Sequence, residues 1–174
     1  MKLYKELTCE NYHEINDEIK TWIWSQKIQN SDLFWNPIDI LVFSKHCSLF
    51  VQWCKSSSIL IKSIAATVGH SADCCGAHVD TPPARYKLSW PVLNTADTWN
   101  CWYKSNVDNP EKQVNTLGGT SYLNSDQLIE IYRREVIAPA IIDAGIIHDV
   151  TAGPNAQWPR IVLQCQLFDE PDNL

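Results

Sequence analysis

The segment PRIVLQCQLF, residues 159–168, constrains the fold more than any other. Successive side chains on a β-strand point to opposite faces. Read as a strand, the segment puts Ile161, Leu163, Cys165 and Leu167 on one face and Arg160, Val162, Gln164 and Gln166 on the other. The first face is uniformly apolar and has to be buried against another layer. The second face then looks toward the interior or mouth of a barrel, where a guanidinium needs an anion to offset the loss of its hydration.

The rest of the chain reads as helices first and strands afterwards. EINDEIKTWIWSQKI, residues 14–28, carries Ile15, Ile19, Trp22 and Ile23 on one helical stripe. Ser44 is the expected cap of a second helix, SKHCSLFVQWCKS, with Cys47, Phe50, Val51 and Cys54 at i, i+3, i+4, i+7 spacing. From Ser57 the period changes. SILIKSIAATV, AHVDT, YKLSWPVLN and WNCWYK read as strands, and SNVDNPEKQVNTLGGT reads as a long polar loop. Ser125 is the expected cap of a short helix, DQLIEIYRREV. APAIIDA, GIIHDVT and PRIVLQCQLF close the set of strands, and the tail DEPDNL is expected to fray. This order is not the alternation of a parallel α/β sheet. It predicts a mainly β chain with flanking N-terminal helices packed outside a jelly roll. Residues 1–174 are expected to form a single domain, with a helical flank at 1–56 and the jelly-roll core at 57–168.

Charge and composition exclude some partners. The net charge is −6, and Lys and Arg do not cluster beyond pairs such as Arg133-Arg134. A protein that grips a phosphate backbone shows a basic face, so a small molecule or peptide is the expected substrate rather than duplex nucleic acid. No membrane association is expected, because no stretch approaches the apolar length of a bilayer span. The start, MKLYKELTCENYHEIN, lacks the apolar run of a signal peptide. The seven cysteines are odd in number and irregularly spaced. Reduced thiols in a cytoplasm (the host's, if the chain is viral) are the expectation.

The chemistry-bearing stretch is GAHVD, residues 76–80. On a strand, His78 and Asp80 project to one face, as two adjacent ligands of a metal would. A third ligand must come from elsewhere. Among His13, His46, His70 and His148, the last is distinct: Ile146, His148 and Val150 share a strand face, so this histidine points inward. A buried, hydrogen-bonded histidine is the plainer alternative. Arg160 follows twelve residues later. It would grip a bound dicarboxylate in bidentate fashion, or else reach solvent, Asp149 or Asp169. A zinc site from His70, Cys74, Cys75 and His78 is disfavoured by the adjacent cysteines.

Two histidines and one carboxylate with open positions form the facial triad of non-haem Fe(II) oxygenases. HxD, a distal His and a following Arg, all on short strands, resemble the Fe(II)/2-oxoglutarate-dependent oxygenase superfamily. LSWPV at 88–92, NCWYK at 100–104, PAIIDAGIIHDV at 139–150 and RIVLQ at 160–164 extend the likeness toward small bacteriophage-type and aspartyl-β-hydroxylase-like members. HxD alone is a weak signal; the ordered set is stronger, and the likeness covers about residues 58–168. The chain departs from the pattern at Ser89 and Asp143, where Asn is usual, and at Gln164, where Ser is common.

The resemblance implies a double-stranded β-helix with Fe(II) held by His78, Asp80 and His148. It implies 2-oxoglutarate as cosubstrate, anchored through its far carboxylate by Arg160, and hydroxylation of a C–H bond. Lys87 and Ser89 share a strand face and are placed near the cosubstrate carboxylates; the alternative is that Lys87 is a solvated barrel-edge lysine. Trp90 and Trp102 line the substrate pocket or pack the sandwich. Asp149 points away from the metal. The long loop at 105–120 is a candidate lid. The competing function class is a non-enzymatic jelly-roll binding or virion-associated structural protein, against which the intact triad argues.

Overall fold

A computed structural model describes residues 3–71, 76–80, 85–115 and 119–168. Among them, the chain begins with β1 (Tyr4–Glu6), α1 (Tyr12–Ser25), β2 (Trp35–Ile38), α2 (Ile40–His46) and α3 (Ser48–Ser56). Then come β3 (Ile61–Gly69), β4 (His78–Val79), β5 (Tyr86–Leu93) and β6 (Thr98–Ser105). A short hairpin, β7 (Lys112–Val114) and β8 (Thr120–Tyr122), precedes β9 (Leu128–Glu135), β10 (Ala140–Asp143), β11 (His148–Ala152) and β12 (Arg160–Leu167). The strands form two antiparallel six-stranded sheets. Sheet A runs β1-β10-β5-β12-β3-β2 and sheet B runs β7-β8-β4-β11-β6-β9.

The alternation of β12 decides how the layers stack. Ile161, Leu163 and Cys165 are fully buried in a core with Leu88, Trp90 and Val92 of β5, Ile64 and Val68 of β3, and the apolar faces of the helices. Ile15, Ile19, Trp22 and Ile23 supply the stripe of α1, and Phe50, Trp53 and Cys54 that of α3. Trp90 is the centre of this layer. Its ring meets Tyr12 at 5.3 Å, Phe50 at 5.3 Å and Trp53 at 5.1 Å, separations at which aromatic pairs attract beyond their area burial. The indole N–H donates to Asn16 Oδ1 at 3.2 Å, so the one polar atom of the ring is satisfied inside the core.

The other face of sheet A turns toward sheet B and is polar. Cross-strand register aligns Gln164 with Ser89 and Ala65, Gln166 with Lys87 and Ser63, and Arg160 with Gly69. Ties between the sheets come from this face and its neighbours. The Arg160 Nε–H donates to Thr98 Oγ1 of β6 at 3.0 Å. The Trp102 indole N–H of β6 donates to the Asp143 carbonyl at the end of β10 at 2.8 Å.

Four local expectations are corrected. The helix begins at Ile40, because the Asp39 carboxylate accepts from the Leu41 and Val42 N–H groups and caps it. Ser44 is no cap; its hydroxyl bonds back to the Ile40 carbonyl at 2.6 Å. The chain breaks at Cys47 and restarts as α3, whose first N–H groups are taken by a residue from another helix: Glu18 of α1 accepts from Ser48, Leu49 and Phe50. Ser125 starts only a short 3-10 turn, Ser125–Gln127, with the Asn124 side chain as cap. LIEIYRRE then runs as strand β9, because its β-branched residues suit the pleated sheet and β6 pairs with it along its whole length. The polar stretch at 105–120 supplies β7 and the first residue of β8, which pair with each other at the edge of sheet B. The N-terminal segment is not purely helical either: β1 and β2 form the two edges of sheet A. Among the described residues, no helix is long and apolar enough to cross a membrane.

Glu18→Ala removes a carboxylate that satisfies the open N–H groups of a helix it does not belong to. Urea unfolding is expected to show a loss of about 1–2 kcal/mol, the usual cost of a lost helix cap. Glu18→Gln, which keeps the acceptor, is expected to lose less than half of that.

Candidate metal centre

Sheet B brings the HxD segment to the distal histidine by direct pairing. β4 and β11 are antiparallel, with His78 opposite His148. The two residues therefore present their rings on one face, and the ring centroids are 4.3 Å apart. Asp80 leaves the end of β4 with its backbone N–H bonded to the Ala144 carbonyl at 3.1 Å. Its carboxylate lies 3.8 Å from His78 Nε2 and 3.9 Å from His148 Nε2. One ligand atom from each of His78, Asp80 and His148 lies within 4.8 Å of the others, a spacing that one cation between them can bridge.

The ring nitrogens are already sorted. His78 Nδ1 donates to the Gly76 carbonyl at 2.8 Å, and His148 Nδ1 donates to the Ile146 carbonyl at 2.9 Å. A carbonyl only accepts, so each Nδ1 carries a proton, and in the neutral ring Nε2 keeps its lone pair. Both lone pairs face the carboxylate. This is the outer hydrogen bond that sets the tautomer of a metal-ligating histidine. Gly76 supplies the carbonyl for His78 from a backbone with φ of +62°, a left-handed conformation that favours glycine.

Electrostatics also suits a ligand set. His148 is 6 % exposed. Burial, reinforced by the neighbouring His78 ring, lowers its pKa from 6.5 to about 3. The imidazole is neutral at physiological pH, as a metal ligand must be. Asp80 Oδ2 is a buried atom without a hydrogen bond. The Lys87 ammonium lies against it as an ion-pair partner. A buried carboxylate oxygen flanked by two imidazole lone pairs is a donor set for a divalent cation, and the residues present fit one.

Lys87 is no solvated barrel-edge lysine. It is 7 % exposed, and its ammonium lies 5.2 Å from the centroid of the Trp35 ring besides pairing with Asp80. Ser89 is buried and donates to Gln164 Oε1 at 3.0 Å across β5 and β12. Arg160 is 4 % exposed and does not reach solvent; Thr98, unremarked in the sequence, receives its Nε–H. Asp169, one of its suggested partners, lies outside the described residues, as do Cys74 and Cys75 of the zinc alternative. His70 is occupied elsewhere, 2.9 Å from the Ser31 carbonyl. Trp90 and Trp102 both pack: neither is exposed.

Three residues near the centre were not singled out as site residues in the sequence. Trp35 stands in a segment read as part of the helical flank. Arg85 and Asp143 meet as an ion pair at 3.1 Å beside the turn that leads to His148. Asp143 was visible only as a departure from the usual Asn. No family model matches the chain, and neither does any curated protein or solved structure.

Between pH 6.5 and about 3 the unfolded chain takes up a proton at residue 148 that the folded chain refuses. This contribution to stability is complete above pH 6.5 and is lost as pH falls toward 3, at up to about 1.4 kcal/mol per pH unit. Urea unfolding of the metal-free protein across this range is expected to show a steeper acid loss in wild type than in His148→Asn. Parallel curves would refute a buried neutral imidazole.

Proposed function

We propose that this chain is an Fe(II)- and 2-oxoglutarate-dependent dioxygenase that hydroxylates a C–H bond of a small-molecule or peptide substrate. The observation that carries the reading is the triad itself: two histidines and one carboxylate within 4.8 Å, both Nδ1 atoms committed to backbone carbonyls. Two histidines with one carboxylate is the donor set associated with non-haem Fe(II). The two six-stranded antiparallel sheets, with the triad on one and Arg160 on the other, support a double-stranded β-helix as the finer description of the fold.

His78 Nε2, His148 Nε2 and an Asp80 oxygen would hold the iron from one side. Fe(II), when bound, supplies the dioxygen chemistry that organic side chains lack. The chain's own residues hold and orient. The backbone carbonyls of Gly76 and Ile146 keep both rings turned. Lys87 pairs with the Asp80 carboxylate. Arg160 and Lys87 bring positive charge to the polar face of sheet A, which suits a dicarboxylate such as 2-oxoglutarate. Ser89 and Gln164 hold each other on that same face. The remaining interior, with Trp35 at its side, is where the substrate would lie.

The test has two arms. Anaerobic Fe(II) and 2-oxoglutarate are expected to give the weak visible absorption band of this chemistry, and air is expected to convert 2-oxoglutarate to succinate. His148→Ala and His78→Ala are expected to lose both. In the second arm, Mn(II) with 2-oxoglutarate at about a hundred times its dissociation constant stabilises wild type by about 2.7 kcal/mol through mass action. Arg160→Ala is expected to lose most of that gain while keeping the response to Mn(II) alone. A wild type that shows neither band, succinate nor stabilisation would overturn the dioxygenase reading.

A further inference from the structure

The segment between β10 and β11 holds two of the three metal-centre residues, Asp80 and His148, without contributing a ligand. The Asp80 backbone N–H donates to Ala144, and His148 Nδ1 donates to Ile146. The Tyr103 N–H of β6 donates to Ile147 at 2.8 Å, next to the Trp102 indole on the Asp143 carbonyl. Residues 143–147 therefore set where both ligand-bearing segments stand relative to one another.

One side chain governs the shape of this segment. The Asp143 carboxylate is 1 % exposed. Its Oδ1 accepts from the Gly145 N–H at 2.9 Å, closing the turn on itself. Its Oδ2 accepts from Arg85 Nη2 at 3.1 Å, with Arg85 Nε at 3.3 Å. The Arg85 backbone carbonyl in turn accepts from the Ala144 N–H. The Arg85 side chain lies over Gly145 so closely that a Cβ there would stand 2.7 Å from Arg85 Cγ and 3.2 Å from Asp143 Oδ1. Gly145 is thus needed for room, and the clamp is packed as well as charged.

We infer that Asp143, braced by Arg85, is the positioning residue of the metal centre: it holds the turn whose carbonyls fix Asp80 and the His148 ring, and so sets the ligand spacing. This rests on the reading of His78, Asp80 and His148 as a metal site and is independent of which reaction the metal serves. Partners one layer beyond the ligands carry tenfold to hundredfold effects on metal affinity. A residue that merely supports the fold lowers stability and leaves the bound metal's geometry alone.

The probe is Co(II), added to the metal-free full chain, with its d–d absorption spectrum and its dissociation constant as readouts beside the melting temperature. Asp143→Ala is expected to weaken Co(II) binding by about tenfold to a hundredfold and to change the spectrum. Asp143→Asn keeps an acceptor for the Gly145 N–H and is expected to restore the wild-type spectrum, with affinity within about threefold. Arg85→Met removes a half-exposed side chain, so it gives a folded variant if Asp143→Ala does not fold; it is expected to weaken Co(II) by a smaller factor with the same direction of spectral change. Unchanged affinity and spectrum in the folded variants, with only the melting temperature lowered, would overturn the positioning role and leave the metal site standing. Wild type that fails to bind Co(II) at all would overturn the metal site and this inference together.

Discussion

Sheet A has two covered faces, and the rest of the structure depends on what covers each. The helices take the apolar face. Burying Trp90, Leu88, Ile161, Leu163 and Cys165 under α1 and α3 supplies the main hydrophobic term. That leaves the second face free to be polar, because it does not have to carry the core. Arg160, Lys87, Ser89, Gln164 and Gln166 can stand there only because sheet B encloses them and because hydrogen bonds and ion pairs meet them. The polar interior is thus a consequence of where the hydrophobic burial has been placed.

Within that interior the balance of charge is local. Two imidazoles, one carboxylate and one ammonium occupy the centre. Deep burial keeps His148 uncharged, and the Lys87 ammonium pairs with the Asp80 carboxylate. A cation is attracted by such a set, and an anion is attracted by the cations next to it. Arg160 and Lys87 stand on sheet A and the triad on sheet B, so the two attractions meet across the gap between the sheets.

Geometry at the centre is set by backbone as much as by side chains. The histidine rings are turned by the carbonyls of Gly76 and Ile146, and Asp80 is tied through its own N–H. These groups move only if the chain around them moves. The Arg85–Asp143 pair closes the turn that carries the Ile146 carbonyl and the Ala144 carbonyl to which Asp80 is tied, which makes a side chain outside the ligand set a determinant of ligand spacing.

The sequence by itself determined the parts that depend on local period and residue type. The two faces of β12, the buried stripe of α1, the shared face of His78 and Asp80 and the inward aim of His148 all follow from side-chain alternation along single segments. Segments whose fate depends on distant partners were not legible. LIEIYRRE is helical or extended according to whether β6 lies beside it, and Ser44 has no capping role because the helix, capped by Asp39, starts before it and leaves Ser44 in its interior. The bond of Arg160 to Thr98, the approach of Lys87 to Asp80 and the clamp of Arg85 on Asp143 were decided only by the tertiary structure. Each joins residues on different strands, and no periodicity within one strand records which other strand it will face.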